Sequence, residues 1–408
     1  MYFYPADILL PQEDVNPTQW SVVACDQYTS QPDYWAKVEE LVGAAPSTLR
    51  LIFPEAYLGQ GNKQERIDTI NATMAKYQQE GVFKTLKNSY ILLERTMENG
   101  AVRRGLMGCI DLDEYSFTKG KKPLIRATEG TVLERIPPRV EIRKAAPLEL
   151  PHIMLLIDDP DRTVIEPLFD QAAEVCYDFD LMQRGGHSKG YVVHGDKAEA
   201  LNRALAPLAD PDRYEKDGTP FLFAVGDGNH SLATAKTCWD LLKETLTPEE
   251  QQCHPARFAL VELVNVHDEA LVFEPIHRIV LGCDPKDLMQ KMQAFTDAQT
   301  GDNVQTVTVC QGGKQTDFIF PHATDALTVG TLQRFLDQYG KGEIDYIHGD
   351  DVVMSLSEKD DAIGFLLPAM DKGDLFRSVV FDGALPRKTF SMGEAHEKRF
   401  YLEARALF

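Results

Sequence analysis

Apolar residues at positions 67, 70, 74 and 77 (Ile67, Ile70, Met74 and Tyr77) recur at helical spacing through NKQERIDTINATMAKYQQEGVF and predict a helix there. The next pattern is different. SYILLERTMENGAVRRGLMGCIDL holds two apolar runs around Asn99-Gly100 and predicts two strands joined by a tight turn. LPHIMLLIDD then reads as a short buried strand, TVIEPLFDQAAEVCYDF as a helix, KGYVVHGD as a strand, and DKAEALNRALAPL as a helix that Asp196 can cap. The stretch up to about Tyr57 is rich in proline and aromatics and predicts loops with short strands. RFALVELVNVHDEALVFEPIHRIV alternates in a way that predicts a second hairpin, and beyond Cys283 the pattern restarts with a helix (PKDLMQKMQAF), a hairpin (VQTVTVCQGGKQTDFIF) and a helix (VGTLQRFLDQYG). The expected fold class is α+β, with mixed sheets and flanking helices. The expected domains are a core over 1–283, a second α/β lobe over 284–380, and a C-terminal segment, 381–408, that returns to the site.

Charge narrows the choice of partner. The 408 residues carry 42 basic and 63 acidic side chains, a net charge of −21, which repels phosphate backbones and anionic membrane surfaces. The expected partner is therefore a small-molecule substrate, with no nucleic acid and no membrane; charge does not indicate the oligomeric state. MYFYPADILLPQED has no basic leader region, and seven scattered cysteines without a CxxC pair suit free thiols, so a cytoplasmic location is expected.

One junction stands out. FAVGDGNHSLATAK, residues 223–236, takes an apolar run through Asp227-Gly228-Asn229-His230-Ser231 into a helical pattern. A structural reading has Gly226 and Gly228 making a tight turn and Ser231 or Asn229 capping a helix whose buried stripe is Leu232, Ala235, Cys238, Trp239 and Leu242. A functional reading adds that the amides of Asn229 to Leu232 and the positive end of the helix would hold a phosphate, with Asp227 placed to contact a metal or accept a proton. QGGKQT at 311–316 only resembles a phosphate loop: it lacks the upstream glycine and lies between two alternating runs, so it is a hairpin turn. His187 and His194 lack a matched ligand set for a metal.

The junction resembles the Asp-Gly-His-His-Arg signature of the family catalogued as domain of unknown function 1015. Four more segments resemble that family in the same order: WSVVACDQYTS, the stretch from IRATEGTVLERIPPRVEIRKAAPLEL to the strand after it, LVFEPIHRIV, and ALPRKTFSMG. That family is similar around this turn to the superfamily of free-serine kinases, sulfiredoxin and chromosome-partition proteins. The resemblance implies a ParB/sulfiredoxin-like core, a bound nucleoside di- or triphosphate with magnesium, and phosphoryl transfer to a small hydroxylated metabolite. A non-catalytic protein that binds a nucleotide or phosphorylated metabolite is the alternative.

Carried onto this chain, the resemblance implies catalytic Asp227, Glu129 and His230, with magnesium on Asp227 and Glu129. It implies phosphate or nucleotide contacts from Gly228, Asn229, Ser231, His277, Arg278, Lys388, Thr389 and Arg143. Two positions depart from the signature: Asn229 stands where the first His is usual and Ser231 where Arg is usual, so the turn lacks its own cation. Arg278, Arg143, Arg139 and Lys388 are the candidates to replace it. Sulfiredoxin chemistry needs a cysteine where Asn229 stands and is excluded.

Overall fold

The structure, a computed structural model, describes residues 1–118, 120–214, 218–386 and 388–408. The chain divides into two compact units. The first comprises Met1–Ala127, Thr131–Leu271 and Glu394–Phe408, and the second Thr128–Gly130 and Val272–Gly393. Both are mixed α/β.

The first unit is organised around a large mixed sheet. In chain order its strands are β1 (Ala6–Pro11), β2 (Phe83–Thr96), β3 (Val102–Asp111), β4 (Tyr115–Ser116), β5 (Ile125–Ala127), β6 (Met154–Ile157), β7 (Val175–Asp180), β8 (His187–His194), β9 (Phe223–Asp227) and β10 (Phe258–Asn265). Across the sheet the order is β4-β5-β9-β6-β10-β3-β2-β8-β7, and β1 pairs with the first half of β2. The central strands β6, β9 and β10 are almost wholly apolar because both faces of the sheet are covered, which is the environment that favours continuous rather than alternating apolar runs. One face packs on α1 (Lys63–Gln79), whose buried residues are Ile67, Ile70, Met74 and Tyr77. The other contacts α3 (Asn229–Lys243) through Leu232, Ala235 and Trp239. A shorter helix, α2 (Ile136–Arg143), lies against α3, with Ile136 and Val140 meeting Ala233.

The last fifteen residues are threaded into this unit. Val22–Val23 pairs with Phe400–Tyr401, Arg405–Ala406 pairs with Leu148–Glu149, and Leu9 and Ala404 exchange backbone hydrogen bonds. They carry charge inward. Arg399 donates to Glu262 Oε2 at 2.9 Å and to Glu403, and Arg103 lies 3.5 Å from Glu262, all four side chains being 6 % exposed or less. Burial would raise the Glu262 carboxyl, but Arg103 and Arg399 hold it below the usual carboxylate range. Arg95 stands opposite Arg103 on the paired strands; burial, reinforced by that like charge, brings its pKa down to about 9. Gly105 leaves the room Glu262 needs, since a Cβ there would lie 2.6 Å from Oε1.

The second unit has an antiparallel five-stranded sheet of β11 (His277–Leu281), β12 (Asn303–Gln311), β13 (Lys314–Ala323), β14 (Glu343–Ile347) and β15 (Ala362–Leu366), in the order β13-β12-β15-β11-β14. Helices α4 (Pro285–Asp297) and α5 (Thr328–Tyr339) pack Leu288, Met292, Leu332, Phe335 and Leu336 against it. Gly312 and Gly313, both at positive φ, make the β12–β13 turn that QGGKQT predicts.

Three expectations need correction. TVIEPLFDQAAEVCYDF is not one helix: only Glu166–Phe169 is helical, and Val175–Asp180 leaves as edge strand β7, where pairing with β8 outweighs local preference. RFALVELVNVHDEALVFEPIHRIV is not a hairpin, because Phe258–Asn265 pairs with β3 and β6 while Phe273–Pro275 pairs with Phe390–Met392 and His277–Leu281 with β14 and β15. Asp196 does not cap the following helix; it lies in a 3₁₀ turn, Gly195–Lys197, that leads into Ala198–Leu205 without a side-chain cap. The opening stretch also holds an unforeseen helix, Pro32–Val42.

The charged layer yields a stability prediction. Arg399→Met leaves two buried carboxylates without their shared partner and is expected to cost about 3–5 kcal/mol in denaturant unfolding. Arg203→Met, which removes a surface pair with Glu199, should cost less than about 1 kcal/mol. Equal losses would contradict the layer's role.

Candidate functional site

Strand β9 becomes helix α3 across a single residue. Asp227 ends the strand, Asn229 begins the helix, and Gly228 between them has φ +80°. The register of β9 against β6 slips between Val225 and Asp227, so Gly226 sits at a bulge that turns the Asp227 end of the strand. Glycine is required at 228 for two reasons: its φ is in the left-handed region, and a Cβ would lie 3.1 Å from both Cα and Cγ1 of Ile153. Gly228 is also the cap residue and gives the first-turn amides no side-chain acceptor, so neither Asn229 nor Ser231 caps the helix. Cys238 and Leu242 are only half-buried; Leu232, Ala233, Thr234, Ala235 and Trp239 form the covered face.

The side chains of the turn have separate partners. Asp227 Oδ1 accepts from Gly228 N–H at 2.8 Å, and Oδ2 lies 3.3 Å from Lys398 Nζ. Burial would push this carboxyl up; Lys398 and the Gly228 amide hold it below the ordinary range, so it is ionised at neutral pH. His230 Nε2 accepts from Val132 N–H at 3.2 Å, which places the proton of the neutral ring on Nδ1. Asn229 Oδ1 is buried without a hydrogen-bond partner. Ser231 Oγ is 2.9 Å from His152 Nε2, whose Nδ1 is 2.8 Å from the Tyr401 hydroxyl.

Of the remaining expected residues, Arg143 shares the first unit but is engaged: its guanidinium is 2.5 Å from buried Glu149, which Arg405 also contacts. Arg139 is likewise paired, with Glu55. Glu129, His277, Arg278, Lys388 and Thr389 belong to the second unit. There, His277 Nε2 meets Asp350 Oδ1 at 2.7 Å while Nδ1 accepts from Leu367 N–H, and burial lowers its pKa. Arg278 is fully buried, donates to Gln333 and to the carbonyls of Ile276 and Lys388, and stacks 4.5 Å from the Tyr346 ring. Burial brings it down to about 10, against the opposing charges of Tyr346 and Glu129. Glu129 bridges to Leu385 through the backbone, Thr389 Oγ1 donates to Pro386 O, and exposed Lys388 has φ +57°. Arg387 of the C-terminal motif lies outside the described residues. Gln333 and Tyr346, both partners of Arg278, also line a cavity of about 310 Å³ within this unit.

Within the first unit, then, the turn meets Lys398 and His152, and through His152 it reaches Tyr401, three residues absent from the expected set. The only sequence signal for Lys398 and Tyr401 is a basic-aromatic run, Lys398-Arg399-Phe400-Tyr401, in an acidic chain. His152 opens the apolar run of β6 without any motif of its own.

The Asp227–Lys398 pair fixes a pH response. A carboxyl whose folded pKa lies below its unfolded value stabilises the fold above the unfolded value, near 3.8, and loses that contribution as pH falls through the folded pKa. Lys398→Met removes the largest opposing charge and leaves burial to dominate. A ¹³C carboxyl titration should then show Asp227 titrating higher than in the parent protein; an unchanged titration would show that Lys398 does not hold it.

Residues 5–339 match the family described as protein of unknown function (DUF1015). No curated protein matches the chain. Among solved structures, the chain is similar to a free serine kinase variant in complex with ADP, at 9% identity over 72% of this chain and 90% of that one, with a TM-score of 0.37. It is similar to a conserved hypothetical protein from Pyrococcus furiosus at 11% identity, over 74% and 97% of the two chains, with a TM-score of 0.34. It is similar also to SbnI with a C-terminal truncation from Staphylococcus aureus at 11% identity, over 70% and 83%, with a TM-score of 0.37. With the matching segment covering most of its length, the chain belongs to the DUF1015 family of proteins of unknown function.

Proposed function

We propose that the chain binds the phosphates of a nucleoside di- or triphosphate at the start of α3 and transfers a phosphoryl group to a small hydroxylated molecule. The observation that carries the reading is the junction at Gly228. A left-handed glycine ends a strand, gives no side-chain cap to the first turn of a fifteen-residue helix, and stands beside a lysine. Uncapped first-turn amides and the helix dipole favour an anion by roughly 0.3–1 kcal/mol where exposed and more where partly buried. Lys398 answers the departure at Ser231: the cation missing from the turn is supplied by the C-terminal segment. Arg143 and Arg139, paired with Glu149 and Glu55, are not needed for it.

The electrostatics also bear on the role of Asp227. An ionised carboxylate held below the usual range is a poor proton acceptor at neutral pH and a good partner for a cation. Asp227 therefore orients Lys398, and its oxygen donors fit magnesium if Lys398 turns to the phosphate. Magnesium would supply charge neutralisation on the transferring group. Phosphate binding itself does not require the metal on this reading. The second reading, a non-catalytic sensor of a nucleotide or phosphorylated metabolite, is favoured by the Asp227–Lys398 pair, which accounts for the carboxylate without any reaction.

Two measurements test these readings. ADP, ATP or pyrophosphate at millimolar concentration should raise the melting temperature with or without magnesium, a ligand at one hundred times its Kd adding about 2.7 kcal/mol of stability. Lys398→Met should weaken that shift and flatten its salt dependence, and no shift with any of the three would overturn the phosphate site. Asp227→Asn should keep most of the nucleotide shift. If the protein is a kinase, the same variant should slow magnesium-dependent ADP formation from ATP, assayed with a panel of small alcohols, by orders of magnitude. Turnover undiminished in that variant would remove Asp227 from the chemistry.

A further inference from the structure

Ser231 has a second neighbourhood. Besides opening α3, it lines a cavity of about 160 Å³ inside the first unit, walled by the buried side chains of Leu51, Phe53, Ile70 and Met74. A volume near 150 Å³ with apolar walls is enough to hold a molecule the size of benzene. This cavity is not uniformly apolar: Asp26 and the ion pairs Arg139–Glu55 and Arg143–Glu149 also line it. His152, Tyr401 and Cys25 line it with Ser231 and form one hydrogen-bonded chain, Ser231 Oγ to His152 Nε2 at 2.9 Å, His152 Nδ1 to the Tyr401 hydroxyl at 2.8 Å, and that hydroxyl to Cys25 Sγ at 3.1 Å.

The direction of the chain can be worked out. Burial keeps the Cys25 thiol protonated, its pKa pushed up to about 12, and holds Tyr401 well above the ordinary phenol value. With Tyr401 donating to Cys25 Sγ, its oxygen accepts from Cys25 N–H at 3.2 Å and from His152 Nδ1–H. His152 Nε2 is then an acceptor, and the group it accepts from is a hydroxyl. An imidazole so fixed can take a ligand hydroxyl in place of Ser231 Oγ, whereas a ligand without one leaves the Ser231 bond intact and makes no polar contact with the ring.

We infer that this cavity binds a compact, mainly apolar alcohol of about benzene size, with its hydroxyl donating to His152 Nε2 in place of Ser231 Oγ. That this alcohol is the phosphoryl acceptor rests on the reading of the α3 turn as a phosphate site; its binding does not. Tyr401 is a positioning residue, acting through the tautomer and orientation of His152.

Benzyl alcohol is a suitable probe, with toluene as the analogue of the same body and no hydroxyl, titrated into the nucleotide-free protein by ligand-observed NMR. Benzyl alcohol should bind at least about tenfold more tightly than toluene. Ile70→Phe, which fills the cavity, should abolish binding, and Tyr401→Phe, which keeps the shape, should erase the preference for the alcohol while retaining toluene. Equal affinities in the parent protein, absence of binding by benzyl alcohol, or a preference that survives Tyr401→Phe would overturn the inference. If Ile70→Phe fails to fold, the parent comparison and Tyr401→Phe decide it alone. A nucleotide shift without benzyl alcohol binding would remove the cavity and leave the phosphate site; alcohol binding without a nucleotide shift would do the reverse.

Discussion

Two carboxylates stand on one rung of the large sheet: Asp227 and Glu262 both face Met154, from the strands on either side of it. Glu262 is fully buried, where an unpaired charge costs several kcal/mol, and Asp227 is half-buried, where the cost is smaller. Consecutive residues of the C-terminal segment, Lys398 and Arg399, supply a cation to each. The short ladders at Phe400–Tyr401 and Arg405–Ala406 hold those two side chains in register, and the first of them also places Tyr401 against His152. Residues 399–407 are therefore part of the interior of the first unit.

This constraint links fold to site. Lys398 holds the Asp227 carboxyl below its usual range beside the uncapped start of α3, and Gly228 allows the strand and helix to meet within one residue. Ser231, the third residue of the helix, bonds to His152, so the first helical turn borders both the Asp227–Lys398 pair and the cavity. A polar phosphate and an apolar alcohol need those two environments, and need them close together.

Elements governed by local pattern were legible in the sequence. The 67-70-74-77 spacing of α1, the Asn99-Gly100 turn and the Gly312-Gly313 turn all encode their structures within a few residues. The strand–Gly–helix junction at 226–231 was legible for the same reason, as was the mixed α/β class. Edge strand β7 and the fate of 258–281 were not, because pairing partners distant in sequence decide them. The same limit hid Lys398, His152 and Tyr401, whose contacts with the turn and with one another span up to 249 residues and leave no spacing to read. Arg143 and Arg139 were plausible cations by position along the chain, but an arginine's role depends on whether a carboxylate already holds it.

The central claim is that the first turn of α3 receives an anion. It is tested most directly by following the backbone amide resonances of Asn229, His230 and Ser231 during titration with pyrophosphate, in protein labelled with ¹⁵N at those residue types. The account predicts saturable downfield shifts of these amide protons, weakened in Lys398→Met. Amides that stay unmoved while pyrophosphate binds elsewhere, or does not bind at all, would contradict it.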